Sequence, residues 1–309
     1  MLKQINGLHH VTSLASSAQE NNSFFTKTLG LRRVKKTVNF DAPDVYHLYY
    51  GDAAGAPGTV MTYFPFPHAA RGRAGTGEVG TTAFSVPRGA LPYWQDRLDT
   101  FNVAGLTRSE RLGEARLAFK GPDGDGFALV ETEDSRPPWA AEVPEDVAIR
   151  GFHSADMRLS PRDAQASAEL LRFMGYSRED TTDNVTRFRI EGGNDAQVID
   201  ITEVDAAPAA QGAGSVHHIA FSVDDRAAQQ EVRRALLDTG YHVTPVIDRD
   251  YFWAIYFRTP GGVLFEVATN EPGFDRDEDL AHLGEALKLP RQHEHLRDKL
   301  EQLLEPITD

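Results

Sequence analysis

The chain has 309 residues, 40% of them hydrophobic and 25% charged, the balance of a soluble globular protein long enough for two domains of ordinary size. Lys and Arg number 32 against 46 Asp and Glu, a net charge of −14, and no basic stretch is present to neutralise phosphates, which argues against a nucleic-acid role. Cysteine is absent, so disulfides, thiolate nucleophiles and Cys-ligated metal centres are excluded, and any metal must be held by His and carboxylates.

In chain order, MLKQINGLHH has no charged segment leading into an apolar one, and no run approaches the roughly 20 apolar residues of a membrane helix. A cytoplasmic protein is expected. GLHHVTSLAS at 7–16 alternates as a strand and is followed by a helical pattern closing on FFTKTLGL at 24–31. GTTAFSV at 80–86 opens a second unit, and KGPDGDGFALVE at 120–131 reads as a turn leading into a strand. The GPDGDG segment is Gly-rich and acidic but lacks the twelve-residue calcium-loop pattern. DSRPPWAAEVPEDVA at 134–148 has the composition of a linker.

The second half then repeats the first. GFHSADMRLS at 151–160 matches the opening strand, LLRFMGY at 170–176 the helix end, HHIAFSV at 217–223 the second strand opening, and RTPGGVLFEVAT at 258–269 the turn and strand. Four units of one type, βαβββ, begin near Gly7, Val79, Gly151 and Ser215. The expected organisation is an N-terminal domain over 1–134, a linker over 135–149, a C-terminal domain over 150–270 and a helical tail over 271–309. In the tail Leu296, Leu300, Leu303 and Leu304 fall at helical spacing, for packing on the body or on a second subunit, while His293 and His295 read as a solvated face.

Two strand openings carry paired histidines, His9-His10 and His217-His218, four of the eleven in the chain. Neighbours on a strand point to opposite faces, so one member of each pair can enter a given site. Glu266 lies in the apolar strand VLFEVAT, where a charge is costly unless paired or metal-bound. Two His and one carboxylate form the facial set that leaves open positions on a non-haem iron centre. No phosphate-binding loop, nucleophile elbow or dinucleotide fingerprint is present.

The four modules, the openings LHHVT and VHHIAF and the ending TPGGVLFEVAT resemble the vicinal oxygen chelate superfamily of glyoxalases, bleomycin resistance proteins and extradiol dioxygenases, over about residues 4–270. The paired histidines of modules one and four, with DRDYFWAIYFRTPGGVLFE, are similar to the hydroquinone-type ring-cleaving dioxygenases. The resemblance implies an α+β fold in which modules one and four share one curved sheet and modules two and three the other. It places the metal on His10, His218 and Glu266, with Fe(II) or Mn(II) as cofactor and a small aromatic substrate and O2 as partners. His9, His217, Arg249 and Tyr256 become catalytic residues: the two histidines or Tyr256 for proton transfer, Arg249 for holding a developing anion. Homo-oligomerisation is left open. In modules three and two the ligand positions fall on Ser154, Thr81 and Ala128, which implies a single live site. Counting from the Pro-Gly turns sets Tyr63, next to Thr62, opposite Glu266, so no second carboxylate is available. The alternatives are a metal-dependent isomerase or lyase of glyoxalase type, disfavoured by that missing carboxylate, and a metal-free protein that binds an aromatic compound.

Overall fold

The computed structural model describes residues 1–309. Gly7 and Gly151, which open the two halves of the repeat, have φ of +104° and +147°. A Cβ on Gly7 would lie 2.6 Å from the Ala196 carbonyl oxygen, and one on Gly151 2.9 Å from that of Gly58. Only glycine fits either place.

Module one comprises β1 (Leu8–Ala15), α1 (Ala18–Ser23) continued by a π-helical turn over Phe24–Thr28, β2 (Arg32–Val38), β3 (Tyr46–Gly51) and β4 (Val60–Pro65). Module two is β5 (Glu78–Val86), α2 (Leu91–Thr100), β6 (Thr107–Arg111), β7 (Glu114–Lys120) and β8 (Gly126–Glu131). Module three is β9 (Gly151–Leu159), α3 (Pro161–Phe173), β10 (Ser177–Thr182), β11 (Val185–Arg189) and β12 (Val198–Glu203). Module four is β13 (Val216–Val223), α4 (Arg226–Asp238), the short β14 (Ile247–Asp248), β15 (Phe252–Arg258) and β16 (Leu264–Pro272). Every module has the expected βαβββ order.

Local chemistry sets the helix starts. Ser17, Ser160 and Asp225 each accept a hydrogen bond from the backbone N–H three residues on, which satisfies a donor that the first turn leaves unpaired. Helix α2 has no such cap, and the Glu131 carboxylate of β8 accepts from Leu91 N–H instead.

The strands form two eight-stranded sheets, ordered β14-β15-β16-β13-β1-β4-β3-β2 and β10-β11-β12-β9-β5-β8-β7-β6. Modules one and four therefore share the first sheet and modules two and three the second. The central pairs, β1 with β13 and β5 with β9, are antiparallel, and the first and last strands of each module run parallel. One face of the sheets packs with the helices into a core that includes Phe25, Phe84, Trp94, Phe127 and Phe152. The other face of the first sheet carries a smaller cluster with Tyr49, Phe252 and Phe274. His10, Thr12 and Glu266 belong to that second face.

The tail docks on the body, along the β2 edge of the first sheet. Leu287 bridges to Lys36, Arg33 holds the Asp309 carboxylate, and the fully buried Lys35 reaches Asp277 and Glu278. Leu300 and Leu304 are buried, but Leu303 is 55% exposed. Residues Arg291–Leu296 form a 3-10 turn and the α-helix, α5, covers Arg297–Leu303, so the expected four-leucine face is interrupted at Leu303, the last residue of that helix, after which the chain becomes extended at Leu304. His293 is not solvated as expected. Its Nε2–H donates to the Phe40 carbonyl at 2.8 Å. No helix is long and apolar enough to cross a membrane.

Candidate metal centre and aromatic cavity

The β1–β13 pairing skips one residue on each strand: Leu8 and His10 face Phe221 and Ala220, whereas Thr12 and Ser13 face His218 and Val216. His9 and His217 are thus the extra residues of two β-bulges, and a bulge bends its strand and re-aims the side chains there. The strict alternation expected of each histidine pair is broken. His9 Nδ1 lies 2.9 Å from His10 Nδ1, and His217 Nδ1 lies 2.7 Å from His218 Nδ1. Burial, and then the neighbouring imidazole, lowers His9 to about 3 and His217 to about 4, so both are neutral at pH 7. With an Nδ1–H on each inner ring, His10 and His218 direct Nε2 lone pairs away from their partners.

Those lone pairs converge on Glu266. The two Nε2 atoms are 3.3 Å apart and lie 3.4 and 2.9 Å from Glu266 Oε2. Despite these short separations neither meets the carboxylate in hydrogen-bonding geometry, so both oxygens lack a directed donor although Glu266 is fully buried. Burial pushes its carboxyl up, and only positive charge at His10 and His218, or an ion between them, holds it well below the usual carboxylate range. An ionised buried carboxylate facing two nitrogen lone pairs needs a cation. The ligand atoms all lie within 4.8 Å of one another and form the one such His/carboxylate cluster in the chain. The donor set fits a divalent ion with open positions.

The cluster forms one end of a cavity of about 440 Å³ whose apolar wall includes Leu14, Phe40, Phe64, Phe66, Phe252 and Leu264, a size suited to a small ligand. Tyr256 sits directly across the β15–β16 ladder from Glu266, its ring 5.7 Å from that of His218. Arg249 is not the turn residue pairing with Asp248 or Asp250 that IDRDY allows. Asp250 takes the φ of +65° and binds Arg276, while Arg249 donates from Nε to Tyr256 Oη at 3.3 Å and from Nη1 to Asp41 at 3.4 Å. His217, Arg249 and Tyr256 line the cavity; His9 lies behind His10 and packs on Phe252 instead. Sequence reasoning overlooked Thr12, His47 and Tyr49, and weighed Thr62 only as a missing carboxylate. Thr12 was within reach, since it shares a strand face with His10 two residues away. The others depend on cross-strand register.

Comparison with known proteins agrees with this geometry. Residues 126–267 match the model of the Glyoxalase/Bleomycin resistance protein/Dioxygenase superfamily. The Bacillus subtilis protein MhqO, assigned provisionally as a ring-cleaving dioxygenase, is 43% identical over 99% of this chain and 98% of its own. The chain belongs to this superfamily. The chlorohydroquinone/hydroquinone 1,2-dioxygenase of Sphingobium indicum is 37% identical over 96% of this chain and 95% of its own. A crystal structure of a Bacillus subtilis protein, described provisionally as a dioxygenase, superposes with a TM-score of 0.94 at 43% identity, over 99% of this chain and 98% of that one. Glyoxalase I from Zea mays shares the fold, with a TM-score of 0.64 at 12% identity over 91% and 97%.

The superfamily repeat is visible in the strand registers. Ser154 pairs with Ala83 as His10 pairs with Ala220, Thr81 with Asp156 as His218 with Thr12, and Ala128 with Ala83 as Glu266 with Ala220. Ser154, Thr81 and Ala128 therefore stand at the ligand positions of the second sheet. Ion pairs fill that place: Arg111 with Asp156, and Arg187 with Asp200 and Glu114. Register also corrects the count from the Pro-Gly turns. Thr62 pairs with Thr12 as Glu266 pairs with Ala220, so the counterpart of Glu266 is Thr62. The turn at Pro260-Gly261-Gly262 is one residue longer than that at Pro57-Gly58, which displaces the count by one. Tyr63 points into the core and donates to Asp125 of the GPDGDG turn.

Proposed function

We propose that this protein is a metal-dependent dioxygenase that cleaves the ring of hydroquinone or a substituted hydroquinone with O2, its ion held by His10, His218 and Glu266. Fe(II) is the ion of this reading; Mn(II) accepts the same ligands. The observation that carries it is Glu266, a buried carboxylate without a directed donor, met by two imidazole nitrogens at the end of an aromatic-lined cavity. The 37% identity to a chlorohydroquinone/hydroquinone 1,2-dioxygenase supports the substrate class. Thr62 in place of a second carboxylate leaves three protein ligands, which favours this reading over an isomerase of glyoxalase type.

When bound, the ion lowers the pKa of a coordinated phenol hydroxyl and leaves a position for O2. The chain's own groups do the rest. His9 and His217 hold the Nδ1 atoms of the two ligands, which fixes the ring orientations. Tyr256 keeps its proton, because burial and then Glu266 push its hydroxyl well above the ordinary value, so it is a donor for an oxygen held near His218. Arg249 remains charged and donates to Tyr256, placing positive charge where the opening ring becomes anionic. His217 and Tyr256, which face the cavity, are the groups that move a proton there. The apolar wall excludes water around the ring. A reducing cytosol keeps such an ion ferrous, and we place the enzyme there.

The test is oxygen uptake by protein loaded anaerobically with Fe(II), offered hydroquinone, chlorohydroquinone and catechol in parallel. Stoichiometric uptake with the hydroquinones is expected, with a smaller rate on catechol. No uptake with any of the three, at full iron occupancy, rejects the reading.

A further inference from the structure

The cavity wall beside the ligands contains a hydrogen-bonded row that the scheme above does not use. Thr12 pairs in register with Thr62, and Thr62 with Tyr49, so the three side chains lie side by side on one sheet face, joined by His47 two residues before Tyr49. Tyr49 Oη is 2.8 Å from His47 Nδ1, His47 Nε2 is 2.8 Å from Thr62 Oγ1, and Thr62 Oγ1 is 2.9 Å from Thr12 Oγ1. All four residues are buried, and both ends of the row, Thr12 and Tyr49, line the cavity.

Such a row has two self-consistent directions, because each hydroxyl has one hydrogen and a neutral imidazole has one N–H. In the first, Tyr49 donates to Nδ1, Nε2–H donates to Thr62, Thr62 donates to Thr12, and the Thr12 hydrogen remains for the cavity. In the reverse direction the Tyr49 hydrogen is left over, and Tyr49 has no hydrogen-bond partner apart from His47 while its ring packs on Phe274. The first direction makes the phenol, the most acidic hydroxyl of the row, donate to the imidazole nitrogen, its best acceptor, whereas the reverse has an aliphatic hydroxyl donate to Nε2 and the phenol accept. Thr12 stands on the same strand face as His10, where an anionic substrate oxygen draws a donor.

We infer that His47 is a positioning residue for substrate: through Thr62 it turns the Thr12 hydroxyl into a hydrogen-bond donor aimed at the substrate oxygen beside His10. Tyr49 sets the direction by occupying Nδ1, and burial keeps His47 neutral, as the row requires. The inference rests on the ring-cleavage reading for the identity of the substrate, but the direction of the row does not.

Two measurements test it. The tautomer of His47, read from 15N chemical shifts of histidine-labelled protein, is expected to be Nε2–H; an Nδ1–H form overturns the direction and with it the proposal. Then hydroquinone binding under anaerobic conditions and steady-state cleavage are compared across variants of the metal-loaded enzyme. Tyr49→Phe, which keeps the ring packing, frees the row to reverse. It should lower kcat/KM on the order of tenfold with metal content unchanged, as should His47→Leu and Thr12→Val, each losing one hydrogen bond to a charged oxygen. His47→Gln, which offers an acceptor to Tyr49 and a donor to Thr62, should restore most of the loss. Because one row carries the effect, His47→Leu combined with Thr12→Val should be no worse than the weaker single variant. Additive losses, or unaltered kinetics in Tyr49→Phe, would refute the row while leaving ring cleavage intact. A wild type that binds no hydroquinone would instead refute the ring-cleavage reading.

Discussion

At Glu266 the chain places a carboxylate where burial is complete and no donor is aimed at it, and nothing within the protein balances that arrangement as well as a cation does. Replacing His10, His218 or Glu266 by Ala, one at a time, should therefore remove most bound metal and turnover while leaving the far-ultraviolet circular dichroism of the fold. Full metal occupancy in any one of the three, measured by elemental analysis, would displace that residue from the ligand set. Tyr256 and Arg249 are expected to behave differently, because neither belongs to the ligand cluster. Tyr256→Phe should retain metal and lose about tenfold to a hundredfold in kcat, the value of one hydrogen bond to a charged group. Arg249→Lys keeps the charge but not the planar fork that spans Tyr256 and Asp41, so its kcat should also fall despite the conservative exchange. Wild-type rates in both variants at saturating O2 would remove these two side chains from the reaction.

The strands contribute what the residues cannot. The bulges at His9 and His217 bring neighbouring imidazoles together, and the second sheet repeats both irregularities, at Gly80 and His153. There the emptied ligand positions are bridged by charges instead of a metal. Glu114 of β7 accepts from Arg187 of β11 at 2.5 Å and lies 3.1 Å from His153 of β9. Burial raises its carboxyl, but the bonds from His153 and Arg187 prevail and depress it from 4.5 to about 2. A depressed carboxylate stabilises the fold above its unfolded pKa and loses that contribution as pH falls through the folded value. Wild type should thus exceed Glu114→Gln in unfolding free energy by up to about 3 kcal/mol at pH 7. The difference should shrink between pH 4.5 and 2, as measured by urea titration at several pH values. A difference that does not change with pH over that window would show that the ion pairs do not hold the strands together.

Across the whole molecule, the proposed metal site joins the two ends of the repeat. His10 comes from module one, and His218 and Glu266 from module four, 208 residues further along the chain in the case of His218. An ion bound only by the folded state stabilises it by mass action, about 2.7 kcal/mol at a free concentration of 100 Kd. Chelation should accordingly lower the thermal midpoint of the loaded wild type and leave that of Glu266→Ala unmoved; equal shifts in both would mean that the ion sits elsewhere. The tail acts at the same scale. It covers the exposed β2 edge, and its His293 holds the carbonyl of Phe40 on the cavity wall.

Local pattern alone determined much of this protein. The four strand openings and the glycine-rich turns are legible because period-two alternation and turn chemistry act over a few residues. The paired histidines and an ionisable residue inside an apolar strand point to the candidate site from the sequence alone. Register and phase were not legible. Alternation could not show that His9 and His217 are bulged, because a bulge is defined against the partner strand. Counting from Pro57 reached Tyr63 instead of Thr62, because turn length and ladder register are independent. His47 and Tyr49 could not be linked to Thr12, which lies two strands away. The four-leucine face of the tail failed at Leu303 because the helix ends there and the chain becomes extended at Leu304. What only the tertiary structure decided, then, is which side chains face one another across strands, since hydrogen bonding between segments far apart in the chain sets that pairing and no short stretch of sequence contains it.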